Sequence, residues 1–152
     1  MNADYVAPAD ARLAATLLLV RDGAQGVEIL MMRRAERDND FRSGAVVFPG
    51  GVLEPADRAA KRFVLGATDA DLSRRYGLAQ GLLDYAVAAV RETFEEVGLL
   101  LACDDIGRPA EPRPVWTEWR QRMQAGQATL AQMCESLDLR LDLRGLACWS
   151  HW

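Results

Sequence analysis

The chain has 152 residues, of which 50% are hydrophobic and 26% are charged, the balance of one globular domain rather than of a disordered or fibrous protein. Its 18 basic and 22 acidic residues give a net charge of −4, which argues against a nucleic-acid partner. The longest apolar run, residues 13–20, is too short to span a bilayer, and the first residues form no basic signal segment, so we predict a soluble cytoplasmic protein with no membrane partner.

The first third of the chain predicts a β-hairpin and a third strand. Apolar, β-rich runs at residues 13–20 and 27–34 flank a turn that contains an Asp-Gly step. After a polar loop over residues 35–44, residues 45–48 are expected as a short strand that runs into a turn at Gly50-Gly51.

The middle of the chain predicts one long helix after a less regular stretch. Residues 55–82 are polar and alanine-rich, with a weak helix start at Asp69. The pattern of residues 84–97 is plainly helical, and Gly98 stands where a C′ glycine ends a helix.

The last third is expected to contain two helices within residues 116–137, separated by Gly126, and a strand over residues 146–152. The only histidine, His151, lies in that strand and is not assigned a catalytic role. Core packing is predicted for the tryptophans, which are Trp116, Trp119, Trp149 and Trp152. The sparse cysteines are expected as reduced, buried thiols; they are Cys103, Cys134 and Cys148.

The long predicted helix has an apolar face and a face of three carboxylates. The apolar face comprises Leu83, Val87, Val90, Phe94 and Val97. On the opposite side, Glu92, Glu95 and Glu96 are spaced i, i+3 and i+4, and like charges at this spacing cost about 0.2–0.5 kcal/mol per pair. Arg91 can offset only part of this repulsion. A divalent cation such as Mg²⁺ or Mn²⁺ would relieve it, and a solvated glutamate face is the alternative that the spacing leaves open.

The same helix carries a motif. The run RETFEEVGL at positions 91–99 matches R-E-U-x-E-E-x-G-U, the second half of the Nudix box, in which U is apolar and is met loosely by Thr93. Gly51 and Asp57 have the spacing of the first half, with aspartate where the family has glutamate. The chain therefore resembles the Nudix hydrolase superfamily.

The box of this chain is interrupted. An uninterrupted box counted from Gly51 would place its arginine at position 65, whereas it stands at position 91, so 26 extra residues lie inside the box, within residues 55–82. An inserted box between FPGGVL at 48–53 and LLL at 99–101 resembles the peroxisomal-type coenzyme A diphosphatases and their bacterial relatives, as does the WSHW run at 149–152. Because both ends of the insertion lie beside the predicted site, we expect it to act in specificity; a helical decoration that packs away from the cleft is the alternative.

The resemblance implies an α/β (α+β) fold, a Nudix-type sandwich of mixed β-sheet and helices with a helical insertion between the Gly-Gly turn and the catalytic helix. In that family further strands and a closing helix follow the catalytic helix. We therefore expect residues 1–152 to be a single Nudix domain that lacks its C-terminal part and continues past Trp152. A homodimer in which a second copy completes the sheet is the alternative.

The resemblance also implies a reaction: Mg²⁺- or Mn²⁺-dependent hydrolysis of a small molecule that contains a nucleoside diphosphate. Coenzyme A or acyl-coenzyme A, giving 3′,5′-ADP and (acyl-)phosphopantetheine, is the leading substrate. Other nucleotides (ADP-ribose, a dinucleotide or a capped RNA) and a non-catalytic Nudix-fold binding module or regulator are the alternatives. An intact set of three repelling glutamates argues against a pure binding module.

The site residues that the resemblance implies are Glu92, Glu95, Glu96 and Arg91 as catalytic residues. The three glutamates, with the backbone carbonyl of Gly51, are the implied metal ligands. Glu92 could also help to deprotonate the attacking water; a base elsewhere in the protein is the alternative. Arg91 is expected to orient Glu95 or its neighbours rather than to touch substrate. Four arginines before the Gly-Gly turn could meet substrate phosphates; they are Arg33, Arg34, Arg37 and Arg42. A place in a solvated loop is the equal alternative for Arg37 and Arg42.

Overall fold

The computed structural model describes residues 11–35 and 43–150, in which short strand pairs surround one long helix. The strands are β1 (Ala14–Thr16), β2 (Val20–Gly23), β3 (Gly26–Ile29), β4 (Met32–Arg33), β5 (Val46–Val47), β6 (Gly50–Val52), β7 (Ala102–Cys103) and β8 (Arg140–Leu141). The helices are α1 (Asp57–Ala60), continued by a turn of 3₁₀-helix (Lys61–Phe63), α2 (Asp69–Arg75), α3 (Leu82–Val97), α4 (Val115–Gln124) and α5 (Leu130–Leu137).

The strands of the described residues form four antiparallel ladders: β1 with β6, β2 with β3, β4 with β5, and β7 with β8. Each of the first two predicted strands is divided in two by a change of partner. Residues 13–20 supply β1 and the start of β2, and residues 27–34 supply β3 and β4. Single backbone hydrogen bonds extend the ladders, such as that from Leu30 N–H to the carbonyl of Leu19 at 2.9 Å, which lies next to the β2–β3 pair.

The Gly-Gly segment, Gly50-Gly51, is a strand and not the predicted turn. In the β1–β6 ladder Thr16 stands opposite Gly50 and Ala15 opposite Gly51. A Cβ atom on Gly50 would overlap the carbonyl oxygen of Ala15, so the absence of a side chain allows β6 to lie this close to β1. The pairing with β1 places β6 against helix α3.

Helix α3 is the centre of the core, and its apolar face is the predicted one. Leu83, Val87, Val90 and Phe94 are all buried, whereas Val97 is half-buried. Phe94 meets Trp116 of α4 edge to face, with 6.2 Å between ring centroids and 84° between ring planes. The helix also packs against β1, β6, α1 and α2. It is therefore fixed from several sides.

The helix predictions agree with the structure more closely than the strand predictions do. α2 begins at Asp69, with Thr68 as its N-cap residue. α4 and α5 lie where two helices were expected, and Gly126 between them has a φ of +68°.

The predicted terminal strand is wrong over residues 146–150, which are neither helix nor strand. Trp149 is 94% exposed and not in the core, whereas Trp116 and Trp119 are buried as expected. After β8 the chain turns near Gly145, and residues 146–150 pair with no described strand. His151 and Trp152 lie outside the described residues.

Two of the cysteines follow the prediction: Cys103 and Cys134 are buried free thiols, while Cys148 is half-buried. In the part of the chain that the structure describes, the helices are all too short or too polar to cross a membrane.

Candidate active site

The carboxylate face, formed by Glu92, Glu95 and Glu96, lies on the last two turns of α3. Glu92 and Glu95 are half-buried, and Glu96 is exposed. The helix ends where predicted, because Gly98 adopts the left-handed conformation with φ +77° and its N–H bonds the carbonyl of Phe94 at 2.9 Å. The glutamates are thus on regular helix up to a defined end.

The Gly-Gly segment lies directly against the carboxylate face. Gly50 N–H donates to Oε2 of Glu96 at 2.9 Å, across 46 residues of sequence. A Cβ atom on Gly51 would overlap the carboxyl group of Glu92. Ala88, one turn before Glu92, is fully buried, so small residues on both elements allow β6 and α3 to approach. The structure therefore brings together Gly51 and the glutamates, as the motif implies.

Arg91 is buried beneath the carboxylate face. Its Nε donates to Oδ1 of Asp57 at 2.7 Å, its Nη2 to the carbonyl of Val52 at 2.8 Å, and its Nη1 to Oε1 of Glu92 at 2.9 Å. Nη1 also lies 3.6 Å from Oε1 of Glu95. Burial by itself would lower the pKa of Arg91, but the hydrogen bond and charge of Asp57, with the charge of Glu92, raise it. The guanidinium therefore stays charged and joins the two halves of the motif.

The environment of the face makes two of its glutamates weaker acids. Burial raises the pKa of Glu92, the charge and hydrogen bond of Arg91 oppose this, and the charge of Glu96 adds to it. The pKa of Glu95 is also raised by burial, with Arg91 opposing and Glu92 contributing. The mutual effect of the carboxylates is the repulsion expected from their spacing, and a cation at this place would remove it.

The site fits a divalent metal in donor chemistry and position. Its donors are hard carboxylate oxygens. Because Gly51 has no side chain, its backbone lies beside the Glu92 carboxyl group. Within residues 11–35 and 43–150, however, no three side chains of His, Cys, Asp or Glu converge as a ready metal cage. Glu92 accepts a hydrogen bond from Arg91, and Glu96 accepts one from Gly50 N–H.

The second part of the insertion, which contains α2, contacts α3 at the end remote from the carboxylate face. Asp69 of α2 accepts hydrogen bonds from Gly81 N–H at 2.8 Å and from Leu83 N–H at 2.9 Å. Ser73 Oγ accepts from Leu82 N–H at 3.1 Å. The rise of 1.5 Å per residue places Leu83 roughly 14 Å along the axis from Glu92. Only the first part of the insertion, which carries Asp57, lies near the site.

Two side chains that the sequence did not reveal hold the other end of α3. Arg120 of α4 donates to the carbonyls of Glu95 at 2.8 Å and of Glu96 at 2.7 Å, and Gln124 also donates to the carbonyl of Glu95 at 2.5 Å. They lie 24 to 29 residues further along the chain, so no local pattern could have indicated the contact. Of the arginines predicted to meet phosphate, Arg33 and Arg34 lie at β4 and directly after it, while Arg37 and Arg42 are outside the described residues.

A family model and curated relatives that match this chain carry the same name. The model of a family described as the NUDT19 Nudix domain matches residues 79–152. The acyl-coenzyme A diphosphatase NUDT19 of Homo sapiens is 30% identical over 163 residues, and that of Gallus gallus is 32% identical over 161 residues. The alignments include 85% and 82% of this chain but only 43% and 42% of those proteins. The chain thus spans less than half the length of the curated relatives it matches.

A solved structure is similar over a larger share. The crystal structure of a NUDIX hydrolase from Alicyclobacillus acidocaldarius has a TM-score of 0.67 and 32% sequence identity, and the match covers 90% of this chain and 59% of that one. This likeness confirms the predicted α/β architecture.

Proposed function

The chain belongs to the Nudix superfamily, and from that premise we propose that it is a hydrolase of diphosphate bonds in nucleotides that carry a second moiety. Coenzyme A or acyl-coenzyme A is the proposed substrate, because the human and chicken relatives are named acyl-coenzyme A diphosphatases. Water adds to one phosphorus as the bridging P–O bond breaks, and the products are 3′,5′-ADP and (acyl-)phosphopantetheine.

One observation carries the proposal: the Gly-Gly segment and the carboxylate face are in contact. Gly51 and Glu92 lie so close that any side chain on Gly51 would overlap the carboxyl group. The residues that the motif pairs across a 26-residue insertion therefore share one site, which is what a catalytic role requires and a solvated glutamate face does not.

The proposed cofactor is Mg²⁺ or Mn²⁺. Glu92, Glu95 and Glu96, with the backbone carbonyl of Gly51, would hold it. A bound divalent ion neutralises the charge of the diphosphate oxygens and lowers the pKa of water, which is the chemistry that this substrate needs. No described histidine or cysteine contributes to the donor set, and hard oxygen ligands favour these two ions over Zn²⁺.

The other roles follow from the contacts. Glu92 is the proposed base, because its half-buried carboxyl group lies against Gly51, between the two halves of the motif. Arg91 orients Glu92 and Glu95 through its hydrogen bond and ion pair with them, and Asp57 holds Arg91 in place. Arg91 is thus a positioning residue, since its side chain is only 4% exposed and its donors are taken by Asp57, the carbonyl of Val52 and Glu92.

A panel of substrates tests the proposal. Coenzyme A, an acyl-coenzyme A, ADP-ribose, a dinucleotide and a capped RNA are each assayed with Mg²⁺ or Mn²⁺ and with chelator. We expect cleavage of the coenzyme A substrates only with metal. Preference for another nucleotide would move the assignment within the superfamily, and no cleavage of any substrate would support the non-catalytic binding module.

Glu96→Gln supplies the matching variant. It should abolish both turnover and the rise in Tm that metal gives the native protein, because a ligand that binds only the folded state stabilises it. Glu118→Gln, which changes an exposed glutamate on α4, is the control. Full activity in Glu96→Gln would contradict the site assignment.

A further inference from the structure

The C-terminal end of α3 is completed by another helix. The last carbonyls of any α-helix have no partner within the helix, and Gly98 N–H satisfies only that of Phe94. The next two carbonyls belong to Glu95 and Glu96, and both accept hydrogen bonds from Arg120, as that of Glu95 does from Gln124. A cation at this place also complements the negative end of the helix dipole.

These carbonyls belong to the residues whose side chains form the carboxylate face. Fixing the peptide groups of Glu95 and Glu96 fixes the direction in which their side chains leave the helix. Glu96 is held twice, at its carbonyl by Arg120 and at its carboxylate by Gly50 N–H. Without Arg120, the carbonyl of Glu96 would lose this external donor, and the carbonyl of Glu95 would keep that from Gln124.

We propose that Arg120 is a positioning residue that sets the metal affinity of the site by holding the backbone of Glu95 and Glu96. The inference rests on the proposed metal-dependent function. It adds α4 to the machinery, a helix that contributes no residue to the Nudix motif. The guanidinium suits the task because its Nε and Nη2 donate to two successive carbonyls at once, which the single ammonium of lysine does not reproduce.

The variants are Arg120→Ala, Arg120→Lys and, as a control with the same loss of charge on the same helix, Arg122→Ala. The guanidinium of Arg122 lies over the ring of Trp119, 4.4 Å from its centroid, and not at the end of α3. Binding of Mn²⁺ is measured by calorimetry without substrate. Amide hydrogen exchange is compared between the last and first turns of α3.

Arg120→Ala should weaken Mn²⁺ binding by roughly 10–100-fold, as loss of a residue that orients metal ligands does, and Arg120→Lys should fall between it and the native protein. Exchange should quicken in the last turn of α3 but not in the first. Raising the Mn²⁺ concentration should restore kcat, because the ligands themselves are intact. A purely structural role would lower Tm and leave Mn²⁺ affinity unchanged.

The outcomes separate this inference from the proposed function. If the native protein binds Mn²⁺ and Arg120→Ala binds it as tightly as Arg122→Ala does, the inference is overturned and the proposed function stands. If the native protein binds no divalent metal, both are overturned.

Discussion

Arg91 and Asp57 form an ion pair that is almost closed to solvent. The Nε of Arg91 lies 2.7 Å from Oδ1 of Asp57, and the two side chains are 4% and 2% exposed. A second bond, from Glu54 N–H to Oδ2 of Asp57 at 2.8 Å, holds the carboxylate from the other side. Both carboxylate oxygens of Asp57, the residue that stands in the place of the family's glutamate, therefore accept hydrogen bonds from within the protein.

Asp57→Ala should lower the free energy of unfolding by about 3–5 kcal/mol, because it leaves the buried guanidinium of Arg91 without its main partner. The exposed pair of Arg74 and Asp71 gives the comparison, since Arg74→Ala should cost only about 0–1 kcal/mol. Urea denaturation of both variants measures the difference. Equal stability of the two would show that the buried pair does not support the fold.

Gly51→Ala and Gly50→Ala should differ in kind. The new Cβ at position 51 meets the end of the Glu92 side chain, so the carboxyl group must move, and activity or metal affinity should fall about 10–100-fold with little loss of stability. At position 50 the Cβ meets the backbone of β1, so the protein should be destabilised by about 1–3 kcal/mol. Tm and metal titration separate the two effects, and Gly145→Ala, which has open space, is the control.

Asp69 should make stability depend on pH at acid values. Burial acts to raise its pKa, but the N–H groups of Gly81 and Leu83 outweigh this and lower it, with help from the charge of Lys61. Its contribution is therefore present above the ordinary pKa of aspartate and is lost as pH falls through the lowered value in the folded state. Asp69→Asn should show a shallower loss of stability on acidification.

Asp69→Ala should also cost about 1–2 kcal/mol at neutral pH, as loss of an N-terminal helix cap does. Helix α3 has no cap from its own N-cap residue, because that residue is Gly81, which has no side chain. Asp105→Asn, a change at an exposed carboxylate, is the control in both experiments. A pH profile of Asp69→Asn that coincides with that of the native protein would show that the cap carries no such energy.

The three thiols should react in a fixed order. Burial raises the pKa of Cys134 to about 12, so its reactive thiolate is scarce, whereas Cys148 is half-buried. Alkylation of the native protein at pH 8, followed by mass spectrometry, should modify Cys148 first and Cys134 last. Because the folded state keeps the Cys134 thiol neutral, its contribution to stability is complete below the ordinary thiol pKa and is lost as pH rises toward about 12. Similar rates for Cys134 and Cys148 would contradict the burial of the former.

The role of the insertion in specificity stays a prediction. Amide hydrogen exchange with and without coenzyme A should show protection within residues 55–82 if they contact the substrate. Protection confined to other segments would favour the alternative, in which α2 serves to cap α3.

The sequence predicted those features whose causes are local. The 3.6-residue periodicity gave the buried face of α3, and Gly98 gave its end, because both depend on neighbouring residues. Strand limits were predicted poorly, because β1 pairs with β6 across a separation of more than 30 residues and no pattern within residues 13–20 states where the partner changes. The N-terminal boundary of α3 was placed at Asp84 and lies at Leu82 for the same reason: its cap, Asp69, is distant in sequence.

The residues of the candidate site also divide into those that local sequence predicted and those that it did not. One short run of sequence predicted Glu92, Glu95, Glu96 and Arg91 as site residues, and the spacing to Gly51 singled out Asp57. Arg120 was not, since it acts on backbone carbonyls, which every residue possesses, and a backbone acceptor leaves no mark on the sequence around it. The exposed Trp149 shows the opposite error, in which residue type suggested burial without a partner to provide it.

The pair of Asp57 and Arg91 closes a loop of 34 residues, which would be a loop of about 8 without the insertion. The entropy of loop closure rises only with the logarithm of length, so the longer loop costs about 1.3 kcal/mol more. The capping bonds that Asp69 and Ser73 accept from the N–H groups at the start of α3 are of a size to offset it. A longer insertion within this motif thus costs little free energy of folding. A chain can therefore gain a new surface between the two halves of the site and still bring the two halves together.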